Sequence, residues 1–179
     1  MRLNDRRNWQ NPREILLNIG LKPGDTFIDV GSGDGYFAIP AAKIVGEQGR
    51  IFALDSNGEA LRRLRVMAAS ERLDNISLKK GYAEDVVLCR GCADFVFFGI
   101  VLHDFKDLTK VLRNAKIMLK KGGKLINLDF TKDSNIGPPK RIKFSRETAT
   151  RIIERAGFNV IEVRGIEPYS YLVVAESPG

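Results

Sequence analysis

The segment Phe27–Phe37, FIDVGSGDGYF, constrains the fold more than any other part of the sequence. Its apolar run reads as a buried strand, and three glycines follow at once between positions 31 and 35. Glycine tolerates positive φ and leaves room for a ligand beside the backbone. A helix that begins near Tyr36 would direct unpaired N–H groups and the positive end of its dipole toward this turn. The segment therefore predicts a ligand-binding turn between a strand and a helix.

Short β-branched or aromatic runs alternate with helical patterns along the rest of the chain. This alternation is typical of a largely parallel sheet with helices on both faces. The last two strands are too close for a crossover helix, so they should form an antiparallel hairpin. We predict an α/β fold, a doubly wound, Rossmann-like sheet of seven mostly parallel strands. The patterns predict helices over 12–19, 36–46, 58–70, 106–123 and 146–157, and strands over 26–30, 50–55, 75–80, 93–98, 124–130, 158–165 and 169–177.

Size and charge set outer limits on function. The 179 residues, 44% of them hydrophobic, fit one domain with a single substantial core. No apolar stretch approaches the ~20 residues of a membrane span, and the first residues lack a secretion signal, so we expect a cytoplasmic protein. The net charge of +7 is spread over several segments, which is more typical of a solvated surface than of a binding stripe. A nucleic-acid partner stays open as an alternative.

The two cysteines form a single C-x-x-C motif, Cys89 to Cys92. Structural zinc needs four ligands, and the chain offers only these cysteines and one histidine, so we predict no metal site. A thioredoxin-type pair would open a helix after a strand, whereas this pair precedes an apolar run. We interpret the two residues as ordinary loop or core cysteines and leave a disulfide open.

The spacing of the glycines separates two classes of cofactor. The dinucleotide fingerprint is G-x-G-x-x-G, but here the spacing is G-x-G-x-G and Tyr36 stands where the third glycine would be. Asp55 ends the second predicted strand, where a carboxylate offers two acceptors to a vicinal diol. An acidic residue at this place also occurs in NAD enzymes. Asp55 therefore supports the fold, and the glycine spacing selects the cofactor.

The stretch IDVGSGDG, an acidic residue two places before G-x-G-x-G, resembles motif I of the class I S-adenosylmethionine-dependent methyltransferases. The stretches FGIVLHDF, NWQNP, GPPKRIKFS and PYSYLVVAE are similar to short prokaryotic members related to ubiquinone/menaquinone-biosynthesis methyltransferases. Together they cover nearly the whole chain. The resemblance implies one domain over 1–179, with an N-terminal arm and helix (1–20), a cofactor-binding half (24–130) and a short lid, helix and hairpin (131–179).

The resemblance also implies the cofactor, S-adenosylmethionine, and the residues that hold it. In the family the glycine loop lies under the methionine half and the ribose, the residue matching Asp29 holds the amino-acid end, and the residue matching Asp55 accepts the ribose hydroxyls. Many relatives carry an Asp-Ala pair whose carboxylate binds adenine, but this chain has Tyr82-Ala83. Adenine would then be held by Tyr82, by Glu84 or by packing alone. The implied cofactor-binding residues are Asp29, Gly31, Ser32, Gly33, Gly35, Asp55, Ser56, Tyr82, Ala83, Glu84 and Gly99.

Two residues are candidates for chemistry. Methyl transfer is an in-line displacement that depends on positioning, with a base only where the acceptor loses a proton. His103, near the end of the fourth predicted strand, is suited to be that base, or else it caps or packs the next helix with Asp104 or Asp107 as its partner. Asp129 ends the fifth predicted strand and either faces the same crevice or simply terminates the strand.

The elements around the crevice leave the acceptor open. The lid between Thr131 and Phe144 is short, which predicts an open crevice that suits a bulky acceptor or closure by a second subunit in a homo-oligomer. Trp9 and Gln10 precede the first helix, where an N-terminal arm would fold over the cofactor or cover the edge of the core. We predict a methyltransferase for a small molecule. The alternatives are an RNA or protein acceptor, an NAD-dependent oxidoreductase, and a non-catalytic cofactor-binding or RNA-binding module.

Overall fold

A computed structural model describes residues 10–178. Its centre is a seven-stranded sheet with strand order β3-β2-β1-β4-β5-β7-β6. The first five strands pair in parallel, and β7 lies antiparallel between β5 and β6, so the predicted sheet and terminal hairpin are confirmed. The strands are β1 (Thr26–Val30), β2 (Arg50–Asp55), β3 (Ile76–Lys80), β4 (Ala93–Gly99), β5 (Leu119–Phe130), β6 (Asn159–Ile166) and β7 (Ser170–Glu176).

Helices cover both faces of the sheet. Successive strand residues point to opposite faces, so Phe27 joins one apolar core and Ile28 joins the other. Side-chain caps begin two of the helices: the Asn11 side chain accepts from the Glu14 N–H, and the Ser145 side chain accepts from the Thr148 N–H. The helices are α1 (Pro12–Asn18), α2 (Ala38–Val45), α3 (Gly58–Ser70), α4 (Leu108–Met118) and α5 (Arg146–Arg155), with a short 3₁₀ turn at Leu102–Asp104.

The boundary between α4 and β5 differs from the sequence prediction. The pattern extended the helix to the glycines at 122–123, but the helix ends at Met118 and the strand begins at Leu119. The predicted helix would have placed Lys120 in its last turn. In the structure Lys120 instead forms an ion pair with Asp94 on β4. Gly122 adopts φ of +71° and returns the chain to the β4 ladder at Lys124. Pairing with the neighbouring strand therefore outweighs local helix propensity.

The connection between β3 and β4 holds the two cysteines. Residues 81–92 contain no helix, and Cys89 and Cys92 are loop cysteines joined in a disulfide, a state that the sequence had left open. The loop is fixed to the end of α4, since Gly91 N–H donates to the Ile117 carbonyl and Cys92 N–H to the Met118 carbonyl. Within residues 10–178, no helix combines the length and apolar character that crossing a bilayer requires.

Sheet topology fixes where a ligand binds. The chain passes from β1 outward to β2 and β3, and then returns to place β4 on the other side of β1. Ligands of doubly wound sheets bind where this direction reverses, outside the carboxyl ends of the strands. The ends of β1, β2, β4 and β5 therefore position the site.

Candidate functional site

The glycine loop is a tight backbone turn against the end of β2. The N–H groups of Gly31 and Ser32 both donate to the Leu54 carbonyl, at 2.7 and 3.1 Å. Gly31 has φ of +75°, and a Cβ there would lie 2.6 Å from Cγ1 of Val101. Both the conformation and the close approach of Val101 therefore require glycine at this position.

Asp55 connects the loop to the strand beside it. Its Oδ2 accepts from the Gly33 N–H at 2.7 Å, and its Oδ1 accepts from the Asn57 N–H at 2.7 Å. A carboxylate has about four acceptor positions, so each oxygen keeps capacity for one more donor. Asp55 also lines the cavity described next. It therefore fits a ligand that presents two neighbouring hydroxyls.

A cavity of about 490 Å³ opens at the carboxyl ends of β1, β2 and β3. Carboxylates outnumber lysines in its lining, five to two, so a cationic ligand is favoured electrostatically. Six of the predicted cofactor residues line it: Gly31, Asp55, Ser56, Tyr82, Ala83 and Glu84. The ionisable lining residues are Asp55, Glu84, Asp85, Asp104, Asp107, Lys106 and Lys110.

The wall of this cavity after β3 is fixed by a residue that the sequence analysis missed. Asn114 on α4 is 5% exposed, and its Nδ2 donates to the carbonyls of Ala83 and Glu84, at 2.9 Å each. Glu84 Oε1 accepts from the Lys106 N–H at 2.9 Å, which engages part of that carboxylate. Tyr82 remains 62% exposed at the rim. The only sequence signal for Asn114 was a polar residue on the apolar face of a helix.

Other predicted cofactor residues lie outside this cavity. Asp29 near the end of β1 is 2% exposed, and Ser32 is 6% exposed with no hydrogen-bond partner for its Oγ among the described residues. The space beside Gly99 is occupied by aromatic rings, since a Cβ there would lie 2.7 Å from Phe97 and 3.1 Å from Phe37. Aromatic packing by itself accounts for glycine at position 99, and a role with the cofactor stays a prediction.

The two candidates for chemistry are in direct contact. His103 Nδ1 lies 2.9 Å from Asp129 Oδ2, although the residues are 26 positions apart. The side chains are 3% and 0% exposed. His103 Nε2 lies 3.6 Å from Oδ1 of Asp104, which is exposed and lines the cavity. Asp129 Oδ1 accepts from the Phe130 N–H at 2.8 Å, which fixes the carboxylate.

The surroundings of this pair set its protonation. Burial lowers the pKa of His103, but the hydrogen bond and the negative charge of Asp129 outweigh burial, and the pKa lies above its ordinary value. Burial and the same carboxylate raise the pKa of Tyr171, which pairs with Asp129 across the ladder. Because Asp129 accepts at Nδ1, the neutral imidazole carries its proton there and keeps Nε2 as an acceptor.

The lid is fastened to the molecule by Lys143, a second residue that the sequence analysis missed. Its Nζ donates to the carbonyls of Ser134 and Ile136, at 2.7 and 2.6 Å, and lies 5.5 Å from the centre of the Phe130 ring. The residue is 4% exposed, and burial lowers the pKa of its amine. Nothing in the run PPKRIK distinguishes this lysine from its neighbours, because only the fold buries it.

The lid has apolar and polar contacts of its own, and the open crevice expected from its shortness stays a prediction. Ile136 packs with Ile100 and Phe130, so the segment above β5 has an apolar anchor of its own. Lys140 forms an ion pair with Asp133, and Lys143 is buried, so part of the basic character of this segment is used internally. The lid therefore packs against Phe130 at the end of β5, next to Asp129.

Comparison with known proteins decides the family. A model of the methyltransferase domain matches residues 21–158. The chain belongs to the class I S-adenosylmethionine-dependent methyltransferases. It is 30% identical to a demethylmenaquinone methyltransferase of Halalkalibacterium halodurans over an alignment of 117 residues. This alignment covers 65% of this chain and 48% of that protein. It is 29% identical over 168 residues to the ubiquinone/menaquinone biosynthesis C-methyltransferase UbiE of Brucella suis, which covers 93% of this chain and 61% of that protein.

Solved methyltransferase structures share this fold. An S-adenosylmethionine-dependent methyltransferase from Aquifex aeolicus superposes with a TM-score of 0.91 at 28% identity, covering 97% of this chain and 93% of that one. A phosphoethanolamine N-methyltransferase of Haemonchus contortus, in complex with S-adenosyl-L-methionine, superposes with a TM-score of 0.81 at 17% identity, covering 96% and 53%. The second likeness shows the fold alone. The chain spans about half to three fifths of the length of its curated relatives.

The residues of this site fit S-adenosylmethionine. The cofactor carries a sulfonium and a ribose diol, and the cavity offers an acidic lining with free acceptor positions on Asp55. The glycine loop leaves backbone accessible beside it, since a Cβ on Gly33 would meet nothing within 4 Å. S-adenosylmethionine is the cofactor of the family, and no dinucleotide fingerprint competes with it.

Proposed function

We propose that this protein transfers the methyl group of S-adenosylmethionine to a small-molecule acceptor whose reacting group gives up a proton. The observation that carries the proposal is the contact between His103 Nδ1 and Asp129 Oδ2, at 2.9 Å. A buried carboxylate that orients a histidine is the arrangement of a general base. Positioning alone would suffice for an acceptor that needs no deprotonation.

The residues of this chain have distinct tasks in such a reaction. When bound, S-adenosylmethionine supplies an electrophilic methyl group. Asp55, the glycine loop and the wall that Asn114 fixes would hold the adenosine half. His103 Nε2 accepts the proton of the acceptor, and Asp129 stabilises the imidazolium that results. Both side chains of this pair are almost fully buried, which keeps water from them.

A quinol-type aromatic ring is the first acceptor to test. The names of the relatives, demethylmenaquinone methyltransferase and ubiquinone/menaquinone biosynthesis C-methyltransferase, support it. A ring hydroxyl that loses its proton enriches the ring carbons in electron density, which is chemistry that a base such as His103 promotes. RNA is less suited to this edge, because the cavity lining is acidic.

The test follows a labelled methyl group. Purified protein is incubated with methyl-labelled S-adenosylmethionine and a cell extract that has been separated into small molecules, RNA and protein. We expect label in the small-molecule fraction, and a loss of at least tenfold for His103→Gln, since its amide is a far weaker base. Lys110→Gln at the cavity rim serves as a control for general effects on the site.

Two results would contradict the proposal. Label that appears mainly in RNA or protein would change the class of acceptor. Full activity of His103→Gln toward the labelled small molecule would show that the acceptor needs no base from this residue. Calorimetric titration of the wild type with S-adenosylhomocysteine tests cofactor binding separately, with an expected Kd in the micromolar range.

A further inference from the structure

The side chain of Gln10 is buried without its hydrogen bonds. The residue is 1% exposed, and neither Oε1 nor Nε2 has a hydrogen-bond partner among the described residues. Buried amides are nearly always hydrogen-bonded, because removing them from water without a partner costs free energy. An enclosed amide with both of its polar atoms unmatched therefore indicates a group that binds there.

The backbone of Gln10 is hydrogen-bonded to the residue that follows the glycine loop. The hydroxyl of Tyr36 donates to the backbone carbonyl of Gln10 at 2.6 Å. Tyr36 directly follows Gly35, and its ring packs edge-on against Phe37 with 5.1 Å between the ring centres. The residue that replaces the third glycine of a dinucleotide fingerprint thus fastens the segment before α1 to the cofactor loop.

A second unmatched polar atom belongs to this loop. Ser32 is buried, and its Oγ also has no hydrogen-bond partner among residues 10–178. Neither Gln10 nor Ser32 lines the cavity that Asp55 and Ala83 share. That cavity suits an adenosine group, so the other end of the cofactor would bind outside it, where these two unmatched polar groups lie.

We propose that Gln10 binds the aminocarboxylate end of S-adenosylmethionine, with Tyr36 as the residue that positions it; this inference rests on the proposed function. A carboxamide offers one acceptor and two donor hydrogens on adjacent atoms. The aminocarboxylate offers an ammonium donor and a carboxylate acceptor on one carbon. Gln10 therefore matches both groups of this zwitterion at once, and the ligand supplies the partners that the free amide lacks.

The experiment compares two ligands that differ only at this end. S-adenosylhomocysteine carries the aminocarboxylate, whereas 5′-methylthioadenosine keeps the adenosine and the sulfur without it. Calorimetry measures both dissociation constants for the wild type, for Gln10→Leu and for Gln48→Leu. Gln48 is the matched control, because it is an exposed glutamine in the turn before β2. We expect Gln10→Leu to raise the dissociation constant of S-adenosylhomocysteine at least tenfold and that of 5′-methylthioadenosine less than twofold. Gln48→Leu should change neither constant.

Stability gives a second readout. Leucine removes the unmatched amide, so the unliganded Gln10→Leu protein should unfold in urea at a midpoint equal to or above that of the wild type. Tyr36→Phe removes the hydroxyl and leaves the amide in place. We expect this substitution to raise the dissociation constant of S-adenosylhomocysteine about threefold, again with less effect on that of 5′-methylthioadenosine.

The inference is overturned if Gln10→Leu weakens both ligands equally, or weakens neither. An equal loss would assign Gln10 to packing of the loop. A wild-type protein that binds neither ligand would contradict the proposed function itself, so the two failures are distinguishable.

Discussion

His103 and Asp129 form a buried hydrogen-bonded pair, with Nδ1 and Oδ2 2.9 Å apart. The two residues come from the loop after β4 and from the end of β5, which the parallel pairing of these strands places side by side. The pair connects the 3₁₀ turn at Leu102–Asp104 to the sheet. Its geometry makes predictions for activity and for stability that are independent of each other.

Replacing Asp129 should change both the rate and its pH dependence. Asp129 raises the pKa of His103 and accepts the hydrogen bond from its Nδ1. Asn has no negative charge, so it would raise this pKa less and accept a weaker hydrogen bond. For Asp129→Asn we expect kcat/KM to fall at least tenfold and the acid limb of its pH profile to move to lower pH. The measurement is the pH–rate profile with saturating cofactor. Asp104→Asn removes a more distant charge and should move the limb less; an unmoved limb in Asp129→Asn would exclude His103 as the base.

The same pair should make stability depend on pH. Because the pKa of His103 is higher in the folded protein than the value of about 6.5 for an unfolded chain, folding favours the protonated form. Its contribution is complete below the unfolded pKa and disappears as the pH rises through the folded pKa. The free energy of unfolding lost in His103→Gln should therefore be larger at about pH 5.5 than at about pH 9. Urea titrations at both values measure it, and an equal loss would show that the two pKa values do not differ.

Asp55 should dominate cofactor affinity among the cavity residues. Asp55→Ala removes the acceptors for the ribose diol and also the contact to the Gly33 N–H. We expect the Kd for S-adenosylhomocysteine to rise at least tenfold, about 1.4 kcal/mol or more. Asp55→Asn keeps one acceptor oxygen and should therefore lose less affinity for S-adenosylhomocysteine. Asp34→Ala, an exposed carboxylate in the same loop, is the matched control, and affinity that survives Asp55→Ala would remove this residue from the site.

Lys143 should stabilise the lid locally. Lys143→Met keeps most of the apolar stem but removes the charged donor to the Ser134 and Ile136 carbonyls, and the Ile136 carbonyl then keeps only the Ser134 hydroxyl as donor. We expect a loss of about 2 kcal/mol in unfolding free energy and faster hydrogen exchange within residues 131–144. Lys140→Met breaks only an exposed ion pair and should lower the unfolding free energy far less. Equal effects of the two substitutions would show that burial of Lys143 contributes nothing.

Local sequence signals predicted the strands and most of the helices. β1 and α3 have their predicted bounds, since hydrophobic periodicity and caps are encoded over a few neighbouring residues. The sequence failed at Leu119, where a helical pattern continued through the lysines but β4 offered a partner strand. That decision depends on a strand more than twenty residues earlier in the chain, and no local pattern contains it.

The sequence by itself determined the glycine loop and the strand-end carboxylates Asp29, Asp55 and Asp129, and the loop with Asp29 indicated the family. These residues are readable because each is tied to the end of a strand, and parallel strands end at one edge. Only the tertiary structure decided which of them meet. The contact of His103 with Asp129 joins two separate elements, and the side chains of Lys143 and Gln10 are buried only in the folded chain. The folded chain excludes water from these residues. Hydrogen bonds and charge interactions are therefore stronger there than between the same groups in water.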